Sequence, residues 1–174
     1  MNAWHRSVAA VMMAMLAVLA GCSSCPSVKP HDVVIKLDEG LRDPQGKMPS
    51  VQIDIVGVNE AERQRWVDKS VDEYWRSGDP LRSTPDKSVM TFRPDELSKT
   101  LAASDPLWSK WIGKGATDMV IMGYIPGVIG SGATDSRRLV LPMDRCKWAD
   151  DQPIQVLVGR NGLNLMTPLK PPKK

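Results

Sequence analysis

The last third of the chain dictates the fold class. Four apolar runs of strand length, Asp118 to Ile125, Arg138 to Leu141, Ile154 to Val158 and Leu163 to Met166, succeed one another with no helical pattern between them. Parallel neighbours need a crossover of a dozen or more residues, usually a helix, so this succession points to layered β-structure rather than to βαβ units. Asn161-Gly162, set between Val158 and Leu163, is a two-residue turn that demands positive φ and so marks a tight hairpin.

The earlier segments add strands and two helical insertions. Asp32 to Leu37 is rich in β-branched residues and reads as a first strand. Asp38 to Pro49 is a polar connection broken by Gly40, Pro44, Gly46 and Pro49. Val51, Ile53 and Ile55 then alternate with Gln52 and Asp54, which predicts a strand with one buried face running to about Val58. Asn59 with Glu62 three residues on resembles a capped helix start, and Val67, Val71, Tyr74 and Trp75 share one arc of a helix over 61–75. Trp66 falls to one side of that arc, at a packing edge or facing a partner. Ser88 to Phe92 reads as a strand, Pro94 to Ala103 as a helix opened by proline, and Asp105 to Trp111 as a further turn or two that sets Trp108 beside Trp111. Roughly seven strands with two short helical insertions make a mainly β protein, a β-sandwich over residues 31–167 with a proline-rich tail at 168–174.

The amino terminus sets the expected compartment. Arg6 and the terminal amine precede an uncharged apolar run from Val8 to Ala20, shorter than the roughly 20 residues of a spanning helix. The run ends in Leu19-Ala20-Gly21-Cys22, which resembles the bacterial lipobox, in which cleavage precedes a cysteine whose thiol carries a diacylglyceryl group. Residues 1–21 are then a lipoprotein signal peptide and 22–30 a lipidated tether; the alternatives are a signal anchor or a soluble secreted protein with an incidental cysteine. Ser23 following Cys22, rather than aspartate, favours the outer membrane. Cys25 and Cys146 are the remaining cysteines; an oxidising periplasm allows them to pair, while the flexible tether around Cys25 does not force it.

Several chemistries are excluded by what is scarce. The two histidines are His5, lost with the signal peptide, and His31, expected to be exposed beside the tether. A Ser-His-Asp triad, a Cys-His pair or a multi-histidine metal site then depends on His31 alone, which excludes most histidine-based catalysis. Asp150-Asp151 has no further ligands at calcium-loop spacing and reads as a solvated turn, so no metal site and no cofactor fingerprint are expected. Gly127 to Gly132 lacks the Lys-Ser/Thr of a phosphate loop and reads as a flexible hairpin connection. A net charge of +3, from 23 basic and 20 acidic residues, offers no nucleic-acid surface. Lys170, Lys173 and Lys174 add little membrane affinity to an acyl anchor. No enzyme is expected.

The order of these parts resembles the TssJ-type lipoproteins of bacterial type VI secretion. The resemblance rests on the lipobox, the first strand, the loop Leu41-Arg-Asp-Pro-Gln-Gly-Lys-Met-Pro-Ser50 running into Val51-Gln-Ile-Asp-Ile55, and the late strands Met119 to Tyr124, Arg137 to Leu141 and Ile154 to Val158. Leu97 to Leu101 is similar to the family's central helical region. Gly46-Lys47-Met48-Pro49 departs from the family's commoner Gly-Arg-Pro, and tryptophan is unusually plentiful.

The resemblance implies a transthyretin-like β-sandwich, anchored to the outer membrane and facing the periplasm. It also implies a structural adaptor that binds the periplasmic domain of TssM, a protein of the inner membrane. Partner contact would fall on the loop between the first two strands, at Leu41, Arg42, Asp43, Gln45 and Lys47, with Met48 as an apolar anchor. The alternative from the residues alone is an envelope lipoprotein that binds a small ligand or glycan in a cleft lined by Trp66, Trp108 and Trp111.

Overall fold

The computed structural model describes residues 28–150 and 152–171, and within them eight strands form two four-stranded sheets. In chain order the strands are β1 (Val33–Leu37), β2 (Val51–Val58), β3 (Lys87–Phe92), β4 (Ser98–Leu101), β5 (Asp118–Tyr124), β6 (Arg138–Pro142), β7 (Ile154–Gly159) and β8 (Gly162–Leu165). Three short helices accompany them: α1 (Glu60–Asp68), α2 (Val71–Tyr74) and α3 (Pro106–Gly113). One sheet has the order β4-β1-β7-β8 and the other β3-β2-β5-β6. Every pairing is antiparallel except β1 with β7, where Val33 to Leu37 run beside Ile154 to Val158 in the same direction. The mainly β sandwich expected from the strand succession is what the chain forms.

The period of two in β2 and β5 decides where the apolar surface goes. Val51, Ile53, Ile55, Met119 and Ile121 face the other sheet and join Val33, Ile35, Val156 and Val158 in the main core. Val56, Val58, Val120 and Met122 point the other way, into a second core closed by Trp66, Val71 and Tyr74 from α1 and α2. The second sheet is therefore covered on both faces. Asp54, expected on a half-solvated face, is buried there instead; it accepts from the Tyr74 hydroxyl at 2.8 Å and pairs with Lys87 Nζ at 3.3 Å. Burial, and then the Asp54 carboxylate, push the Tyr74 hydroxyl well above its ordinary range, so it stays a donor.

Two helical expectations differ from the structure. The segment from Pro94 to Ala103, including the stretch likened to a central helical region, is no helix: Ser98–Leu101 is strand β4, with Val33 opposite Leu101 and Ile35 opposite Lys99. Beside β7 alone, β1 would leave a row of unpaired amides and carbonyls at a sheet edge, and pairing outweighs the modest helix propensity of this stretch. The single helix over 61–75 is two. It breaks after Asp68, where Ser70 caps α2 by accepting from the Glu73 amide. Arg138 Nη1 donates to the carbonyls of Trp66 at 3.3 Å and Lys69 at 2.6 Å, satisfying acceptors that the end of α1 leaves bare. The break lets Trp66 as well as Tyr74 face the sheet, with their ring centroids 5.9 Å apart.

Gly57 is a fixed point of the packing. A Cβ there would collide with the Trp111 ring, so its bareness is what lets α3 lie against β2.

Candidate functional site

The chain enters at one end of the sandwich, and three of its connections are tied together at the other. At the entry end, Val28 bridges Asp144 in antiparallel fashion, Ile154 donates to Asp32 O at 2.8 Å, and Asp32 Oδ1 accepts from the Ala103 amide at 2.7 Å. Strand β1 then carries the chain about 16 Å, at roughly 3.3 Å per residue, to the opposite end. Three connections meet there: the β1–β2 loop, the β5–β6 loop and the β7–β8 hairpin. Arg160 of the hairpin donates through Nη2 to Arg42 O at 3.0 Å and through Nε to Gly40 O. On its other side the hairpin's Leu163 amide donates to Ser136 O at 2.7 Å. Gly162 adopts φ 104° as the Asn-Gly turn requires, and a Cβ there would strike Ser136, so this glycine permits the two loops to touch.

The β1–β2 loop is braced from within. Asp43 Oδ1 accepts from the amides of Gln45 at 3.0 Å and Lys47 at 2.8 Å, and Arg42 Nη1 donates to Gly46 O at 2.8 Å. Arg42 also pairs with Glu39, whose carboxyl is held below its usual range by that bond. Leu41 and Met48 turn inward; Met48, expected as an apolar anchor for a partner, is 1% exposed and packs in the main core. The side chains of Asp43, Gln45 and Lys47 are exposed and that of Arg42 is half-buried.

The β5–β6 loop, residues 125–137, is pinned rather than loose. Arg137 donates through Nη2 to Asp135 at 2.7 Å and to Gly130 O at 3.1 Å, and through Nη1 to Asp72 at 2.6 Å. Burial alone pushes the Asp135 carboxyl up, but the guanidinium outweighs it and leaves the carboxyl below its usual range. The loop so held presents Ile129 with 93% of its surface exposed. Sequence reading passed over this residue, although an aliphatic pair, Val128-Ile129, among Gly127, Gly130, Ser131 and Gly132 was a signal.

Trp66, Trp108 and Trp111 line no cleft. All three are buried, Trp66 in the second core and the others in the first, and the Trp108 and Trp111 indoles donate to the carbonyls of Ala102 at 3.0 Å and Asp86 at 2.8 Å. The glycan-cleft alternative loses its residues.

His31 is also placed differently from expectation. It is buried against Trp148, with ring centroids 6.5 Å apart, and its Nε2 has no hydrogen-bond partner among the described residues. The neighbouring bridge from Val28 to Asp144 folds the approach to β1 over the ring, which is why a residue beside the tether is not solvated. Burial, assisted by Lys29, lowers its pKa from 6.5. The folded chain then holds fewer protons than the unfolded one just below that value, so stability is complete above pH 6.5 and declines as the pH falls through it. Thermal melts are expected to show a decline as the pH falls below 6.5 that His31→Gln flattens; identical slopes in the two proteins would contradict the assignment.

Asp150 is exposed and paired with Arg145 at 3.6 Å and Lys170 at 3.7 Å, and no metal-binding cluster occurs among the described residues. Cys22, Cys25, Asp151, Lys173 and Lys174 lie outside the described residues. Cys146 is disulfide-bonded.

Solved structures share this arrangement. A chain in the structure of the C-terminal domain of the type VI secretion protein TssM from EAEC superimposes with a TM-score of 0.54 at 16% identity, over 78% of this chain and 99% of that one. A chain of a type VI membrane complex matches with a TM-score of 0.54 at 16% identity, over 80% of this chain and 99% of its own length. Serratia marcescens Lip, a membrane-bound component of the type VI secretion system, matches with a TM-score of 0.50 at 16% identity, over 81% of this chain and all of its own. The chain has the TssJ-type fold. At this identity the likeness is one of fold. No family model and no curated protein matches the sequence. Within this fold, hydrogen bonds tie together three connections at the far end.

Proposed function

We propose that the chain is a lipid-anchored structural adaptor of a type VI secretion membrane complex. It is held at the outer membrane by acylated Cys22 and binds, through its loop end, the periplasmic domain of a TssM-like inner-membrane protein. The observation that carries this reading is the polarity of the sandwich. The chain enters at one end, and the β1–β2 loop is stiffened at the other by Asp43, Arg42 and Arg160. A stiff, polar loop on a rigid scaffold loses little entropy on binding, which suits recognition. Its fold is that of chains found in type VI membrane assemblies.

Within the loop the residues divide by task. Gln45 and Lys47 are exposed and their side chains bond to no other described residue, so they face the partner. Asp43 shapes the loop through its two amide bonds. Gln45→Ala with Lys47→Glu is expected to weaken binding of the TssM-like periplasmic domain about tenfold, the ~1.4 kcal/mol of one good contact, with an unchanged melting temperature. Asp43→Ala is expected to lower both affinity and melting temperature. Titration calorimetry beside thermal melts separates the two. A Gln45/Lys47 variant that binds normally would remove this loop from the interface.

A further inference from the structure

We propose that the cleft between α2 and the β5–β6 loop is a second docking surface, which takes an acidic segment of the partner protein carrying an apolar side chain. The cleft is about 300 Å³ and is lined by Asp72, Trp75, Arg76, Tyr124, Val128 and Arg137 among others. Its walls are aromatic: the Trp75 and Tyr124 rings lie 5.7 Å apart, edge to face, and Tyr124 is 51% exposed. Arg82 covers the Trp75 ring at 4.7 Å and holds it in place. This is a preformed apolar slot beside the exposed Ile129.

Two donors of residues that line the cleft lack acceptors among the described residues. The Trp75 indole Nε1 is buried with no hydrogen-bond partner among the described residues, and a buried indole N–H ordinarily has one. Arg76 is exposed and forms no ion pair with another described residue. The carboxylates nearby are already engaged, since Asp72 and Asp135 both pair with Arg137. Arg76, Arg82 and Arg137 set three guanidiniums against the two carboxylates Asp72 and Asp135, so the charge left over is positive, and the unmet hydrogen-bonding need is for acceptors. A peptide carboxylate or carbonyl beside an aliphatic side chain supplies both, whereas a wholly apolar ligand would leave the indole unsatisfied.

The loop makes the surface effective. An isoleucine on a loose loop is ordered only on binding; this one is held in advance by Arg137, and preorganised apolar side chains beside aromatic pockets are where interface energy concentrates. The Ser136–Leu163 bond makes the cleft continuous with the hairpin, and through Arg160 with the β1–β2 loop. The proposal rests on the adaptor reading and extends its contact surface from one loop to the whole end of the sandwich.

The test uses the mature chain and the purified periplasmic domain of the TssM-like protein. Ile129→Asp and Arg76→Glu are each expected to weaken binding tenfold or more with unchanged melting temperatures, and Trp75→Phe, which keeps a ring but removes the N–H, severalfold. In ¹⁵N spectra the Trp75 indole proton is expected to move downfield as it gains an acceptor, a reading that needs no variant. Normal binding by Ile129→Asp and Arg76→Glu, with a stationary indole signal, would overturn the cleft while leaving the adaptor reading intact. No binding by the unaltered chain would overturn both.

Discussion

Cells carrying Cys22→Ser are expected to lose the protein from their outer-membrane fraction and to lose type VI secretion, while the folded domain melts as before. The membrane attachment proposed here resides in one sulfur. Among the described residues no helix is long and apolar enough to cross a bilayer, so the sandwich has no helical means of staying there. Each buried methylene of an acyl chain contributes about 0.8 kcal/mol; one chain binds only marginally, whereas two or more hold durably. A serine hydroxyl lacks the nucleophilicity that lets a cysteine thiolate accept the lipid. Retention of Cys22→Ser at the outer membrane would sink the anchoring proposal.

The same protein locates the disulfide. Cys146 is bonded, and the other cysteines of the sequence are Cys22 and Cys25. With Cys22 assigned to the lipid, Cys25 is the thiol that remains. We propose the bond Cys25–Cys146. A non-reducing peptide map of the Cys22→Ser protein is expected to show it intact.

The strands were legible because their signals are local. Alternation in Val51 to Ile55, the apolar run of Met119 to Tyr124 and the Asn161-Gly162 turn each encode structure within a few residues, and β2, β5 and the β7–β8 hairpin sit where those signals lie. What was not legible depends on distant partners. Ser98 to Leu101 becomes a strand because β1 needs a neighbour, and Met48 faces inward because a core formed by other segments has room for it. His31 is buried by a bridge between residues more than a hundred positions apart in the chain. The bracing of the far end was hidden for the same reason. Nothing local in the sequence marks Arg137, Arg138 and Arg160, yet each donates to carbonyls or carboxylates brought near only by folding. Placing the candidate contact surface on the first loop was within reach of the sequence; its extension to Trp75, Tyr124 and Ile129 required the tertiary neighbours.

Arg137→Ala is expected to lower stability more than any change at the exposed loop positions. The Arg137 and Asp135 side chains are 9% and 2% exposed, and the ion pair is completed by bonds from the guanidinium to Asp72 and Gly130 O. Removing one partner of such a pair leaves a charge buried with little water, a loss of about 3–5 kcal/mol. In a domain of this size that is a fall of roughly 10 °C in melting temperature. Asp135 would keep its bond from the Arg137 backbone amide at 2.9 Å but lose the cation that holds its carboxyl below the ordinary 3.8. Stability supplied by a depressed carboxyl is present above that value and disappears as the pH falls below it, so the acid limb of the stability profile is expected to flatten in the variant. Arg137→Met with Asp135→Leu supplies the decisive control. Replacing both charges by apolar groups of similar size removes the buried carboxylate together with its guanidinium and leaves Arg138 held by carbonyls, so part of the lost stability should return. The loop would then be packed but no longer pinned to Asp72 and Gly130. If binding of the TssM-like domain recovers with stability, the ion network serves folding alone. Recovery of stability without binding would show that the held position of Ile129 matters to recognition. An Arg137→Ala protein that melts with the unaltered chain would mean that the far end of the sandwich is braced by something other than this arginine.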